Sequence, residues 1–367
     1  MTLKEELEIL RGEPIQVFDG DPMDIPCIET SDVEKLCKHP VVSVHMITYN
    51  HEPYIRQAIE GVMMQQTDFE FELIIGEDCS QDKTREICFE YQKKYPDKIR
   101  VLWWHENVSK LGGNSRRVFA RCRGEFIALC EGDDYWTDSF KLQKQVDLIR
   151  KTKAVMCVAN SEWHYSNGEV RLSIYKSGNQ ILQLEDVLKH YFHTTTYLIN
   201  RSVFEKCQKK YAHDFIYWYD CVEIACMATM GAIVLLPEIV SVYNWTGNGI
   251  SGRDGSLQRK RMLAVQYVQF ARCPNSQIAI FYYKRLPYLF SQVYSFKGMN
   301  GVSYSLRDRN NLLKIIRSIA RSNDGRLGEA WMILHCSIEL FKRWLCAYCP
   351  QTVLVMRKFK RVLVPKS

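Results

Sequence analysis

The chain has 367 residues and a mass of 43.1 kDa, with 46% hydrophobic and 25% charged residues. This composition predicts one large or two modest folded domains, and it excludes a disordered tail or a collagen-like chain. The formal net charge is +7, with an acidic segment at residues 1–38 and a basic segment at residues 301–367. Because no apolar run approaches about 18 residues, the sequence predicts no membrane-spanning segment.

The N-terminus carries acidic residues where a signal peptide carries basic ones, so the sequence predicts a cytoplasmic protein. The 14 cysteines are scattered through a chain much larger than the secreted domains that depend on disulfides, and we expect them to be reduced. One Cys-x-x-Cys pair, Cys346 and Cys349, lacks a second pair at zinc spacing and is more typical of an ordinary helix.

Residues 1–38 are predicted to form an acidic arm with one short helix near residues 2–10. From Pro40 the chain alternates between β-branched runs and amphipathic stretches. Strands are predicted at 41–48, 71–76, 99–104 and 125–130, and the helices that follow them at 53–65, 83–95, 115–122 and 138–150. Four such units in succession predict an α/β fold with a mostly parallel sheet flanked by helices, in which ligands bind beyond the carboxyl ends of the strands.

The second half of the chain is less regular. Strands are predicted at 154–160, 194–200 and 232–245, a helix at 219–230, and further helices at 257–270, 278–296, 311–319 and 326–348. We therefore predict three parts: the arm at 1–38, an α/β domain at 39–255, and a helical C-terminal region at 256–367 with a basic end.

Polar residues follow the predicted strands. No Gly-x-Gly-x-x-Gly loop follows the first of these strands, and the P-loop, His-Glu-x-x-His and Gly-x-Ser-x-Gly motifs are missing from the sequence. The first strand ends in Thr48, Tyr49, Asn50 and Glu52, where a tyrosine could stack on a nucleotide base. The alternative is an ordinary strand-to-helix turn capped by Asn50.

The second strand leads to three carboxylates, those of Glu77, Asp78 and Asp82, one of which could accept the imide N–H of uracil. The alternative is a capping loop with Ser80 or Asp82 as the N-cap and Asp78 in solvent.

The fourth strand is followed by Glu131, Asp133 and Asp134. Three acids within four positions repel one another unless a cation offsets their charge, and carboxylate oxygens favour Mg²⁺ or Mn²⁺ over zinc. Gly132 allows the backbone to turn so that the acids converge. The alternative is a solvated acidic loop.

Three motifs, in this order and spacing, resemble glycosyltransferase family 2. They are PVVSVHMITYNHEPYI, ELIIGEDCSQDKT and GEFIALCEGDDYWTDSFKLQKQV. The resemblance runs from about residue 40 to residue 252 and implies a GT-A fold for the domain at 39–255. It further implies a metal-dependent, inverting transfer of a sugar from a nucleotide-diphosphate donor, such as a UDP-sugar, to a hydroxyl of a glycan or lipid-linked acceptor, as in surface polysaccharide synthesis.

The resemblance also implies roles for individual residues. Nucleotide-sugar binding is implied for Thr48, Tyr49, Asn50, Glu52, Asp78, Glu131 and Asp133, with Asp133 and the adjoining Asp134 as metal ligands. Glu131 replaces the more common Asp of the family's Asp-x-Asp motif.

The resemblance implies that Asp220 is the general base, with Glu223 one turn later as its substitute. The alternative is that Asp220 is an ordinary first-turn acid of a helix. The family usually carries Tyr-Arg-x-His after the next strand, and this sequence has Tyr-Asn-Trp-Thr at 243–246. Basic residues farther along, among them Arg253, Arg259 and Lys260, are candidates to replace the missing charge.

Two other functions remain open. A nucleotidyltransferase or other nucleotide-sugar enzyme could use the same acids and metal, and a non-catalytic scaffold could bind a nucleotide sugar without turning it over. Nucleic acid is not an expected partner, because the acidic loops oppose it. The basic and apolar residues at 341–364 suit either peripheral contact with an anionic membrane at its inner face or a helical cap packed on the protein.

Overall fold

A computed structural model describes residues 2–11, 26–108, 113–175, 181–211, 220–246, 257–295 and 313–319, together with Pro14, Asp24, His335 and Cys336. The predictions for the Cys-x-x-Cys pair, the basic tail and Arg253 lie outside these residues, as do the side chains of Arg259 and Lys260. The chain divides into two compact units. One comprises Gln16–His213 and Trp218–Gly252, and the other Met1–Ile15, Asp214–Tyr217 and Arg253–Ser367.

One sheet organises the first unit. Its strands are β1 (Ile28–Thr30), β2 (Val42–Thr48), β3 (Phe71–Glu77), β4 (Ile99–Trp103), β5 (Phe126–Leu129), β6 (Tyr135–Trp136), β7 (Met156–Tyr165), β8 (Val170–Ser173), β9 (Ile181–Leu182), β10 (Leu198–Asn200) and β11 (Ile233–Trp245). Their order is β1-β4-β3-β2-β5-β10-β7-β11-β6, with β8 beside β7 and β9 beside β11. Strands β4, β3, β2 and β5 are parallel, as are β7 and β11, whereas β10 runs antiparallel between β5 and β7.

The helices are α1 (Leu3–Arg11), α2 (Ile55–Met63), α3 (Thr84–Lys94), α4 (Gly113–Arg121), α5 (Lys141–Thr152), α6 (Leu184–Lys189), α7 (Arg201–Tyr211), α8 (Asp220–Met227), α9 (Leu257–Ala271), α10 (Ser276–Tyr283) and α11 (Leu286–Ser295). The predicted fold class, a mostly parallel sheet flanked by helices, is confirmed. None of the described helices is both long enough and apolar enough to span a bilayer.

The core of the first unit lies between the sheet and its helices. Every residue of β3 is buried, as expected for a parallel strand covered on both faces. Val44, Ile59, Leu73 and Val146 are fully buried in one apolar cluster that joins strands to helices. This packing holds the carboxyl ends of β2, β3 and β5 in fixed positions at one edge of the sheet.

A buried ionic network closes the opposite edge, at the amino ends of the strands. The carboxylate of Glu72 accepts hydrogen bonds from Ser43 Oγ at 2.6 Å, Arg100 Nη1 at 3.2 Å and Arg123 Nη2 at 2.6 Å. Arg100 also donates to Glu29 on β1. The network therefore ties the edge strand β1 to the central strands.

The second unit has its own apolar core. Leu7 and Leu10 of α1 pack with residues of α9 and α11, among them Val268 and Phe290. The buried carboxylate of Glu6 accepts a hydrogen bond from Arg272.

Candidate active site

The loops that follow β2 and β3 are joined by reciprocal hydrogen bonds. The backbone N–H of Asn50 donates to Ser80 Oγ at 2.9 Å, and Gln81 N donates to Asn50 Oδ1 at 2.7 Å. Asn50 has φ of 54° and Cys79 has φ of 60°, so both loops turn through the left-handed region. The side chain of Asn50, assigned above to donor binding, thus helps to fix the shape of these loops.

Glu52 forms a second pair of such bonds. Its backbone N–H donates to Asp82 Oδ2 at 3.0 Å, and its Oε2 accepts from Lys83 N at 3.1 Å. Asp82 Oδ1 in turn accepts from Thr84 N at the start of α3. Asp82 therefore connects the two loops, while the N-cap position of α3 is occupied by Lys83.

Thr48 and Tyr49 are placed differently from each other. Tyr49 is 42% exposed, so its ring is accessible to a ligand. Thr48 is buried, and its Oγ1 has no hydrogen-bond partner. A Cβ on Gly132 would lie 2.6 Å from Thr48 Oγ1, which shows how closely the loop after β5 approaches the end of β2. Only glycine permits this approach.

Asp78 lies at the end of β3 and is fully buried. Its Oδ1 accepts a hydrogen bond from Val108 N at 2.7 Å, and its backbone N–H donates to Thr48 O at 3.0 Å. The carboxylate therefore sits between the ends of β2 and β3 and the segment after β4.

The acids after β5 are held by partners from distant parts of the chain. Both carboxylate oxygens of Glu131 lie within 3.1 Å of Thr194 Oγ1, which donates to them. Asn244 N donates to Asp134 Oδ1 at 2.8 Å, and Asn244 Nδ2 donates to the carbonyl of Asp133 at 2.7 Å. Asn244, which stands where the family has Arg, thus anchors the acid loop to β11.

The electrostatics of these acids are strongly perturbed. Burial raises the pKa of Glu131 to about 8, and the charges of Asp220 and Asp133 add to the rise. Burial, with Asp133 and Glu131 beside it, raises the pKa of Asp134 well above its ordinary value. A cation among these acids would remove much of the repulsion that favours their protonated forms.

A metal ion would need ligands beyond the protein. In the described part of the chain, no group of three or more His, Cys, Asp or Glu side chains could hold a metal by itself. The Asp133 side chain is 19% exposed, with Oδ2 3.7 Å from His51 Nε2, whereas the Asp134 side chain is 1% exposed. Mg²⁺ commonly binds through one or two carboxylates together with substrate phosphates. The residues fit a metal that shares its coordination with a bound diphosphate.

Asp220 is the first residue of α8, and its Oδ2 accepts a hydrogen bond from Tyr191 OH at 3.2 Å. The pKa of Asp220 is raised overall, because desolvation by the surrounding protein outweighs the lowering effect of the hydrogen bond from Tyr191. The residue nevertheless keeps exposed surface. Tyr191 contacts Asp220 and Thr194, three residues later, contacts Glu131, so this segment brings the two acids near each other. Glu223 is buried, its Oε1 lacks a hydrogen-bond partner, and burial raises its pKa well above the usual value.

Three neighbours of the acids were not singled out from the sequence: Tyr191, His193 and Thr194. His193 stacks on Tyr243 with ring centroids 4.0 Å apart, and burial lowers its pKa to about 3, so it is neutral. The polar run His-Thr-Thr-Thr at 193–196, at the start of the strand predicted at 194–200, is the signal that could have identified His193 and Thr194.

Comparison with known proteins supports the resemblance. Residues 43–208 match the model of the family described as Glycosyl transferase family 2. An uncharacterized protein of Mycobacterium tuberculosis is 35% identical over 217 residues, which cover 57% of this chain and 60% of that protein. The match thus spans less than two thirds of this relative.

Two solved structures share the fold. S. aureus TarS 1–349 in complex with UDP-GlcNAc superposes with a TM-score of 0.56 at 17% identity, covering 82% of this chain and 89% of TarS. The mannosyltransferase PcManGT of Pyrobaculum calidifontis, in complex with GDP-Man and Mn²⁺, gives 0.51 at 14% identity, covering 93% and 99%. Residues 43–208 are therefore similar to glycosyltransferase family 2, and the chain shares the GT-A fold of these two structures.

Proposed function

We propose that the protein is a metal-dependent, inverting glycosyltransferase that moves a sugar from a nucleotide-diphosphate donor, with UDP-sugars as the first to test, to a hydroxyl of a glycan or lipid-linked acceptor. Surface polysaccharide synthesis is the process that such a reaction would serve. The observation that carries the proposal is that the segment 191–194 contacts Asp220 through Tyr191 and Glu131 through Thr194, at the carboxyl edge of the sheet, where α/β folds bind their ligands.

The roles proposed for the side chains are those that the family resemblance implies. Tyr49 stacks on the base and Asp78 binds its imide. Asp133 would hold the divalent metal, with Asp134 behind it, and a metal bound there would supply positive charge for the diphosphate leaving group. Asp220 takes the proton of the acceptor hydroxyl while the new bond forms at the anomeric carbon and the bond to the diphosphate breaks. Glu223, being buried, keeps the role of substitute base.

Calorimetry tests donor binding. UDP, UDP-GlcNAc, UDP-glucose and GDP-mannose are titrated with and without Mn²⁺ into the wild type and Asp133→Asn. We expect Mn²⁺-dependent binding that Asp133→Asn abolishes. Asp147→Asn, at an exposed acid on α5, is the matched control and should bind as the wild type does. Binding by Asp133→Asn at wild-type affinity would refute the metal role.

Turnover separates the rival functions. A glycosyltransferase releases a nucleoside diphosphate, whereas a nucleotidyltransferase releases pyrophosphate and a scaffold releases neither. Asp220→Asn should bind donor normally and transfer no sugar, while Glu223→Gln should retain transfer. Unimpaired transfer by Asp220→Asn would move the base to Glu223.

A further inference from the structure

An aromatic surface lies at the carboxyl ends of β7 and β11. It consists of Trp163 and Tyr165 on β7 and Tyr243 and Trp245 on β11, and we call these four residues the aromatic platform. The strands are paired in parallel with Trp163 opposite Tyr243 and Tyr165 opposite Trp245. Because residues two apart on a strand lie on the same face, all four side chains share one face of the sheet.

The rings of the platform contact one another and keep part of their surface exposed. Trp163 meets Tyr243 edge-on at 5.3 Å and lies nearly parallel to Trp245 at 6.4 Å, and Tyr165 lies 5.6 Å from Trp245. None of the four is fully buried. A group of partly exposed aromatic rings is typical of a ligand-binding surface.

The platform leads to the candidate base. Tyr191 is 43% exposed and meets Trp163 edge-on at 5.9 Å, while its hydroxyl donates to Asp220. A ligand lying on Trp163 would therefore extend toward the carboxylate that deprotonates the acceptor. This is the position that an acceptor requires.

The rim of the platform is polar. Arg171 on β8 is paired with Trp163, and its guanidinium lies over the Tyr165 ring, 5.0 Å from the centroid. Arg171 also forms an ion pair with Glu169. The exposed apolar residues of β8, Val170 and Leu172, are paired with His164 and Glu162 and so lie on the other face of the sheet.

We propose that the aromatic platform binds a sugar ring of the acceptor, so that the part of the acceptor seen by the protein is a glycan. A pyranose has one face of C–H groups, which matches flat aromatic rings, and an edge of hydroxyls, which matches a charged rim. A lipid tail or an apolar peptide would cover the Arg171–Glu169 ion pair with groups that offer it no hydrogen bonds. The inference rests on the proposed function, because it takes Asp220 as the base.

The test measures glycan binding and donor binding separately. Di- to tetrasaccharides of glucose, galactose, mannose, N-acetylglucosamine and rhamnose are titrated into the wild type, Trp163→Ala and Tyr165→Ala, and binding is followed by saturation-transfer NMR. Phe140→Ala is the control, since Phe140 is an exposed aromatic residue at the start of α5. UDP-sugar affinity, measured by calorimetry, reports whether each variant keeps its fold.

We expect the wild type and Phe140→Ala to bind at least one glycan, and each platform variant to bind it about tenfold more weakly with unchanged donor affinity. Absence of binding to every glycan, or equal binding by the platform variants, would overturn the inference. Glycan binding that depends on Trp163 in a protein that binds no nucleotide sugar would uphold the platform and refute the proposed function. Failure of the platform proposal and failure of the proposed function therefore give different results.

Discussion

At the scale of single residues, Gly132 fixes the geometry of the loop after β5, which carries Glu131, Asp133 and Asp134. An added Cβ would lie 2.6 Å from Thr48 Oγ1, 2.7 Å from Thr48 Cβ and 3.0 Å from His51 Nδ1. Neither neighbour can move without disturbing the end of β2 or the loop after it. The absence of a side chain at Gly132 is therefore part of the structure of the site.

Gly132→Ala should lower donor affinity by about tenfold or more, because the loop carrying Asp133 must move away from β2. The overpacking should also lower the free energy of unfolding by about 1–3 kcal/mol. Calorimetry with UDP and Mn²⁺ and urea unfolding measure the two effects. Gly168→Ala is the control: Gly168 has φ of 82° and open space around it, so its replacement strains the backbone without reaching the site. Equal donor binding by both variants would show that the close approach to Thr48 is unimportant.

Tyr191 is a positioning residue for Asp220. Tyr191→Phe keeps the ring and removes the hydrogen bond that lowers the pKa of Asp220. A base acts only when deprotonated, so a higher pKa moves the acid limb of the kcat profile to higher pH and lowers kcat at neutral pH. Acceptor KM should change little. Tyr175→Phe, which removes a similar hydrogen bond to Asp186, should leave the pH profile unaltered.

The sequence revealed the acids but not their partners. Glu131 and Asp133 were predicted because repulsion between crowded acids is visible in the sequence itself. Thr194 and Asn244 were not assigned to them, because their contacts depend on β10 and β11 lying beyond β5 in the sheet. That order follows from packing of the whole chain and has no local signature.

At the scale of elements, α5 contains an unusual buried lysine. Lys141 is fully buried, donates from Nζ to Gln145 Oε1 at 2.8 Å and lies 4.0 Å from the centroid of the Trp136 ring. Burial lowers its pKa from 10.5 to about 7. The helix therefore carries a charge in the core only at neutral and lower pH.

A lysine with a depressed pKa binds its proton more weakly in the folded than in the unfolded state. Between about pH 7 and 10.5, unfolding takes up a proton, so this group makes the free energy of unfolding rise with pH, by up to about 1.4 kcal/mol per unit. Lys141→Met should remove that rise, which urea unfolding at several pH values would measure as a pH-dependent difference from the wild type. In Lys144→Met, which removes an exposed ion-paired lysine with a raised pKa, the difference should stay constant over this window.

The regular elements were predictable and the irregular ones were not. Strands β2 to β5 and helices α2 to α5 were predicted because continuous apolar strands alternate with amphipathic helices. Strands β8 and β9 were missed, since one is exposed along most of its length and the other has two residues. The antiparallel insertion of β10 also escaped prediction, because its pairing partners are distant in the chain.

At the scale of the whole molecule, the two units have separate cores. Leu7 belongs to the core of the helical unit, and Leu73 belongs to the core around the sheet. The sequence placed α1 in an acidic arm, and its contacts with α9 could not be foreseen because some 250 residues separate the two helices. The sequence predicted a short helix near residues 2–10 and gave no indication of its partner.

Leu7→Ala should destabilise the helical unit by about 2–5 kcal/mol, because it removes a fully buried side chain and leaves a cavity. The residues proposed to bind the nucleotide sugar all lie in the other unit, so donor affinity should remain at the wild-type value. Lys4→Ala, at an exposed position of the same helix, controls for changes in α1 itself. Thermal unfolding followed with and without UDP and Mn²⁺ measures both properties. A loss of donor affinity in Leu7→Ala as large as that in Asp133→Asn would show that the donor site depends on the helical core. This result would contradict the assignment of the donor site to the α/β unit alone.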